Sequence, residues 1–218
     1  MKYLEVAQHY DECFKKHGDT NLGVDWPNYK DTLTRHQMML ELVQTTPNTL
    51  LDFGCGLGHF CEYISNTPLK DDITYSGLDI NKGFYNTCKN KFPHLNFYLT
   101  DILQNNNIPN FDYIVCNGTF LEKRNLTQEE MMDFFTAAIT KLWEKCNEGL
   151  AFNLMSKHVD WERDDLFHVS LDELGWFLKN NLSRNFIIRN DYGLYEYTIK
   201  GTERAFMEIV KMLQTNPQ

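Results

Sequence analysis

Apolar positions in this chain follow two rhythms. Tyr3, Leu4, Ala7, Tyr10 and Phe14 recur at three- and four-residue steps and predict a helix over residues 1–17. Leu33, Met38, Met39, Leu42 and Val43 predict a second helix over 29–45. Between them, residues 17–27 hold two glycines and a proline and predict a loop, in which Trp26 is either a buried anchor or, with His17, the lining of a cleft. From residue 49 short apolar runs alternate with helical patterns: strands at 49–53, 73–79, 95–99, 111–116 and 149–155, and helices from about 58, across 81–91, from Thr127 and over 171–181. Thr127 followed by Glu130, and Ser170 followed by Glu173, are helix-start signals. The chain then predicts a hairpin of 185–189 with 192–200 and a short amphipathic helix carrying Phe206, Ile209, Val210 and Leu213.

Repeated strand–helix alternation predicts a parallel sheet with helices on both faces, whose ligands collect at the carboxyl ends of the strands. The expected fold class is α/β, a Rossmann-like three-layer sandwich. Its mostly parallel, seven-stranded sheet ends in an antiparallel C-terminal hairpin. Residues 1–47 are expected to form a helical cover on a core of 48–218, within one compact domain.

The stretch Thr49–Phe60 changes the picture from fold to ligand. Its apolar run ends in Gly54, Gly56 and Gly58 at alternate positions, ahead of a helix. Glycine lets backbone approach a ligand closely, and a helix N-terminus offers free N–H groups. A dinucleotide turn needs a third glycine where this chain has His59, and Asp52 would face a diphosphate unfavourably.

Net charge is −9 over 218 residues and no basic run is visible, which argues against a nucleic-acid partner. No apolar stretch reaches a membrane span, and the N-terminus lacks a signal-peptide core. Six cysteines at 13, 55, 61, 88, 116 and 146 show no metal-ligand spacing and are expected as reduced thiols in a cytoplasmic protein. No metal is expected: Asp160, Asp164 and Asp165 read as a solvated acidic loop.

Asp52-Phe-Gly54-Cys-Gly56-Leu-Gly58, with acids at Asp79 and Asp101 and Asn117-Gly118-Thr119 after the fourth strand, resembles the class I S-adenosylmethionine (SAM)-dependent methyltransferases. The resemblance covers about residues 48–155 and implies SAM as the cofactor. It implies Gly54 and Gly56 near the methionine part, Gly58 as a further cofactor-binding residue of the same motif, and Asp52 at the amino group. Asp79 would lie at the ribose, Asp101 with Ile102 at the adenine, and Asn117 at the amino-acid end, with Ile80 a further cofactor-binding candidate. Arg35 is expected either at the cofactor carboxylate or in an ion pair. His158, His17 and His168 are candidate bases for a hydroxyl acceptor, and Tyr192, Tyr195 and Tyr197 a candidate cleft wall.

DNA-base methylating enzymes carry Asp/Asn-Pro-Pro-aromatic where this chain has Asn117-Gly118-Thr119-Phe120, so a small-molecule or carbohydrate- or nucleotide-linked acceptor is expected, on a monomer or dimer. The loops 17–26 and 191–197 look like those of bacterial methyltransferases from surface-polysaccharide (capsule modification) clusters. A catalytically silent binding module and a nucleotide-cofactor oxidoreductase remain the alternatives.

Overall fold

The computed structural model describes residues 1–202. The predicted helix at Phe206–Leu213 lies outside them. In chain order the elements are α1 (Leu4–His17), α2 (Tyr29–Leu40), β1 (Asn48–Phe53), α3 (His59–Ser65), β2 (Ile73–Asp79), α4 (Lys82–Lys91), β3 (Asn96–Leu99), β4 (Phe111–Cys116), α5 (Gln128–Trp143), β5 (Cys146–Ser156), β6 (His168–Val169), α6 (Leu171–Asn181), β7 (Phe186–Arg189) and β8 (Glu196–Thr202). The strands form one sheet in the order β3-β2-β1-β4-β5-β8-β7. Pairing is parallel through β5, and β8 inserts antiparallel between β5 and β7. Seven strands lie on this path, as expected; an eighth, the two-residue β6, pairs parallel with the end of β5.

Strand alternation divides the core into two layers. Leu51, Phe53, Ile114 and Cys116 pack with α5 and α6 through Met131, Phe135, Ala138, Leu174 and Leu178. Leu50, Tyr113 and Val115 face the other way, against Met39 of α2 and Leu42 just after it, Phe60 and Ile64 of α3 and Cys88 of α4. Helix starts follow local chemistry. Thr127 and Glu130 form a reciprocal capping box, and the Ser170 and Asn81 side chains accept N–H groups of the first turns of α6 and α4.

Three expected boundaries move. Helix α2 stops at Leu40, five residues short, because the N–H groups of Gln44 and Thr45 donate instead to the Tyr113 hydroxyl. Strand β5 begins at Cys146, paired with Phe111 across an irregularity in the β4 ladder. The hairpin is shorter than 192–200: Gly193 takes φ +78°, residues 192–195 bend, and β8 begins at Glu196. All six cysteines are free thiols. Among the described residues no helix is long and apolar enough to cross a membrane.

Candidate functional site

Parallel register brings the ends of β1, β2, β3 and β4 to one edge. Asp52 lies opposite Gly77 and Val115, and Asp79 opposite Leu99. A cleft of ≈ 150 Å³ opens there. Asp52, Gly54, Gly56, Asp79, Ile80, Asp101, Ile102 and Asn117 all line it, and Tyr3, just before α1, lines it with Val6, Ala7 and Tyr10 of that helix.

The glycine turn is held by the Gly54 and Cys55 N–H groups donating to the Leu78 carbonyl at 2.8 and 3.1 Å. Gly54, Gly56 and Gly58 sit at φ +72°, +53° and +77°, the left-handed region that favours glycine. Their surroundings differ. A Cβ on Gly54 would lie 2.5 Å from Thr119 Oγ1, and one on Gly56 would meet only Val24 Cγ1, at 3.1 Å. A Cβ on Gly58 would run into Phe92 at 2.9 Å and Cys88 at 3.2 Å. Gly58 is therefore set by packing between α3 and α4, behind the cleft wall rather than on it.

Burial charges the cleft unusually. Asp52, 2% exposed, accepts the Tyr75 hydroxyl at 2.7 Å. Desolvation pushes its carboxyl up to about 7; the Tyr75 hydrogen bond opposes that rise and the Asp79 charge adds to it. Asp79 accepts the Gly56 N–H at 2.9 Å and the Asn81 N–H at 2.8 Å, yet burial still raises it to about 6. Asp101 accepts the Tyr3 hydroxyl at 2.7 Å and the Leu103 N–H at 3.0 Å. Asn117 is 7% exposed, and neither polar atom of its side chain has a hydrogen-bond partner among the described residues. A buried amide left open in a cleft wall is a ready contact for a polar ligand.

Sequence reasoning passed over His36, which also lines this cleft. It is 3% exposed among the rings of Trp26, Phe60 and Tyr63, its Nδ1 has no hydrogen-bond partner among the described residues, and desolvation lowers it to about 3, with the His59 and Arg35 charges adding to that. Its place at i+3 from Leu33 on the apolar face of α2 was the available signal.

Several expected site residues lie elsewhere. The Arg35 guanidinium is committed to Glu196, with Nε 2.9 Å from Oε2, and it stacks 5.3 Å over Trp26. It lines a second cavity rather than the glycine cleft. His168 lies in that second cavity too, but both ring nitrogens are engaged, Nδ1 with the Ser156 carbonyl at 2.6 Å and Nε2 accepting the Arg163 N–H at 3.3 Å. His158 is exposed after β5, and His17 ends α1; neither lines either cavity. None of the three histidines reaches the glycine cleft. Tyr197 is a sheet residue whose hydroxyl donates to the Val169 carbonyl, and Tyr192 bonds Thr198. Tyr195 alone of the three faces the second cavity. Trp26 lines both cavities.

His9, Cys13 and Asp25 lie close enough together to hold a metal ion. The Arg124 guanidinium, however, contacts both His9 Nε2 and Asp25 Oδ2, so a cation already occupies that position.

Residues 51–141 match the sequence profile of a family described as a methyltransferase domain. A curated Mycobacterium tuberculosis protein, provisionally named as a methyltransferase, is 26% identical over 158 residues, spanning 70% of this chain and 92% of its own. The fold is similar to that of 1,6-didemethyltoxoflavin N1-methyltransferase from Burkholderia thailandensis, solved with 1,6-didemethyltoxoflavin and S-adenosylhomocysteine. The TM-score is 0.62, with 13% identity and coverage of 93% and 90% of the two chains. It is also similar to the N-methyltransferase NodS of Bradyrhizobium japonicum, solved with S-adenosylhomocysteine, at TM-score 0.61, 17% identity and coverage of 89% and 96%. The chain shares the fold of these methyltransferases, and its residues 51–141 match the model of a methyltransferase domain.

Proposed function

We propose that the protein is a SAM-dependent methyltransferase acting on a small-molecule acceptor. The observation that carries this reading is the row of Asp52, Asp79, Asp101 and the unpartnered Asn117 along one cleft, beside a bare glycine turn. The residues fit the donor. The Gly54–Gly56 backbone would lie against its methionine part and Asn117 against the amino-acid end. Asp52 would face the ammonium, which compensates a carboxylate otherwise disfavoured by burial. Asp79 would accept the ribose hydroxyls while keeping its own backbone donors. Asp101 and Ile102 would meet the adenine, with the half-exposed Ile80 covering the base.

Bound there, SAM supplies an electrophilic methyl group on a sulfonium. The chain's task is to hold a nucleophile in line with it and to exclude water. Tyr3 and α1, the latter through Val6 and Tyr10, support the second of these. Residues 1–47 are part of this proposal as a cover on the 48–218 core. A cytoplasmic setting belongs to it as well, supported by six free thiols. The acceptor's link to surface-polysaccharide modification rests on the loops 17–26 and 191–197 alone.

Calorimetry with SAM and with a nicotinamide dinucleotide, followed by labelled methyl transfer, tests the reading. SAM binding together with a methylated product supports it. SAM binding without a product across acceptor classes identifies a silent module instead. Binding of the dinucleotide alone identifies an oxidoreductase.

A further inference from the structure

We infer that the second cavity is the acceptor site and that it takes an amine: a small, ring-bearing molecule that arrives as a cation. This rests on the methyltransferase reading of the glycine cleft. The cavity measures ≈ 370 Å³, within the roughly 300–1,000 Å³ of small-molecule sites. It adjoins the first cleft, with Tyr10 and Trp26 standing in the walls of both.

Its charge is one-sided. The arginines are all held by carboxylates of the protein: Arg35 by Glu196 at 2.9 Å, Arg163 by Asp165 at 2.6 Å, and Arg124, behind the wall, by Asp25 at 2.6 Å and by Glu122. Asp31 and Asp160 also line the cavity, and among the described residues neither forms an ion pair. A phosphate or carboxylate entering here finds no free cation and two uncompensated anions. An ammonium finds both a countercharge and ring faces. Trp161 and Tyr195, 69% and 63% exposed, stand at the cavity with Trp26, and such faces attract cations and stack on flat bodies.

The same chemistry suits the reaction. Once a proton has left the ammonium for water, the nitrogen lone pair forms the new C–N bond as the methyl–sulfur bond breaks toward sulfur. The methylated product is then itself an ammonium, so each transfer releases one proton in all. The product stays basic and can be held by the same carboxylates.

The test uses matched probes: 2-phenylethylamine, 2-phenylethanol and phenylacetate, and glucosamine, glucose and glucose 6-phosphate. Equilibrium binding is measured by ligand-observed NMR with and without SAM, and methyl transfer by mass spectrometry. Amines are expected to bind at least about tenfold more tightly than their neutral and anionic counterparts, and to be methylated on nitrogen. In the doubly substituted variant, Asp31→Asn with Asp160→Asn, that preference is expected to fall below about threefold while SAM affinity and the melting temperature hold. Equal binding across a series, a preference for the anion, no amine binding, or a preference that survives both substitutions overturns the inference. SAM binding with no amine selectivity defeats this inference alone; failure to bind SAM defeats the reading beneath it, and amine binding is read independently of SAM.

Discussion

Asp52 offers a sharp test, because its burial makes SAM binding depend on pH in a calculable way. With its carboxyl raised to about 7, Asp52 is half ionised at pH 7 in the ligand-free protein. At pH 5.5 about 3% is ionised. An α-ammonium group, with a pKa of roughly 7.7–8.0, stays more than about four-fifths charged across this window. If the ammonium of SAM requires the carboxylate, the dissociation constant at pH 5.5 should be about fifteenfold larger than at pH 7, with Asp79, raised to about 6, adding a few-fold more. Binding at pH 7 should also release about half a proton from Asp52. Calorimetry in two buffers of different ionisation enthalpy reads both quantities. Asp52→Asn should weaken binding at pH 7 and flatten most of the slope. Binding that is independent of pH, or a slope unchanged in Asp52→Asn, would refute the placement of the ammonium at this carboxylate.

Four further outcomes follow from the same structure. In the ligand-free protein Asp52 is raised relative to the unfolded chain, so its contribution to stability is fully present below pH ~4 and lost as pH rises through about 7. Asp52→Asn should therefore raise the melting temperature most at pH 8. His36 has the opposite sign: lowered to about 3, it costs stability as pH falls below ~6.5, and His36→Phe should weaken that acid limb in a thermal-melt series. Arg35→Ala leaves Glu196, 1% exposed, without its cation, and urea unfolding should show a loss of about 3–5 kcal/mol. Gly58→Ala meets Phe92 at a positive φ and should cost about 1–3 kcal/mol of stability, while the SAM affinity of the folded variant stays near the parent's.

Much of the fold could be read from the chain because β1 to β4 are apolar runs that end at or just before an acid, a glycine or an asparagine. The parallel connections then force those closing residues to one edge, so Asp52, Asp79, Asp101 and Asn117 met as the pattern implied. Side chains whose partners are distant in sequence were not readable. Arg35 finds Glu196 161 positions away, and Tyr3 finds Asp101 98 positions away, with no periodic signal for either pair. The histidines were hard to place for a related reason. A lone imidazole carries no periodicity, so proximity to a strand end suggested His158, while His36, hidden on the face of α2, lines the cleft. Tyr195 and Tyr197 have strand spacing and Tyr192 precedes them in the expected strand, but the left-handed Gly193 bends the chain before pairing begins. Gly58 matched the motif yet owes its identity to Phe92 and Cys88.

The buried run from Arg35 to the loop after β4 sets an order of assembly. Glu196, at the start of the last described strand, takes the Arg35 guanidinium and the Asn153 amide at 2.9 Å, and the Asn153 oxygen accepts the Gly118 N–H at 2.7 Å. Gly118 in turn lies so close to Trp26 that a Cβ there would sit 2.3 Å from the indole. The wall between the two cavities is thus tied to a residue that leaves the ribosome after every other part of the wall has been made. A chain still short of β8 can stack its parallel strands, but it cannot lock Asn117 and Trp26 in place. Ligand-binding competence therefore arrives late in synthesis, when the C-terminal strand slots into the sheet.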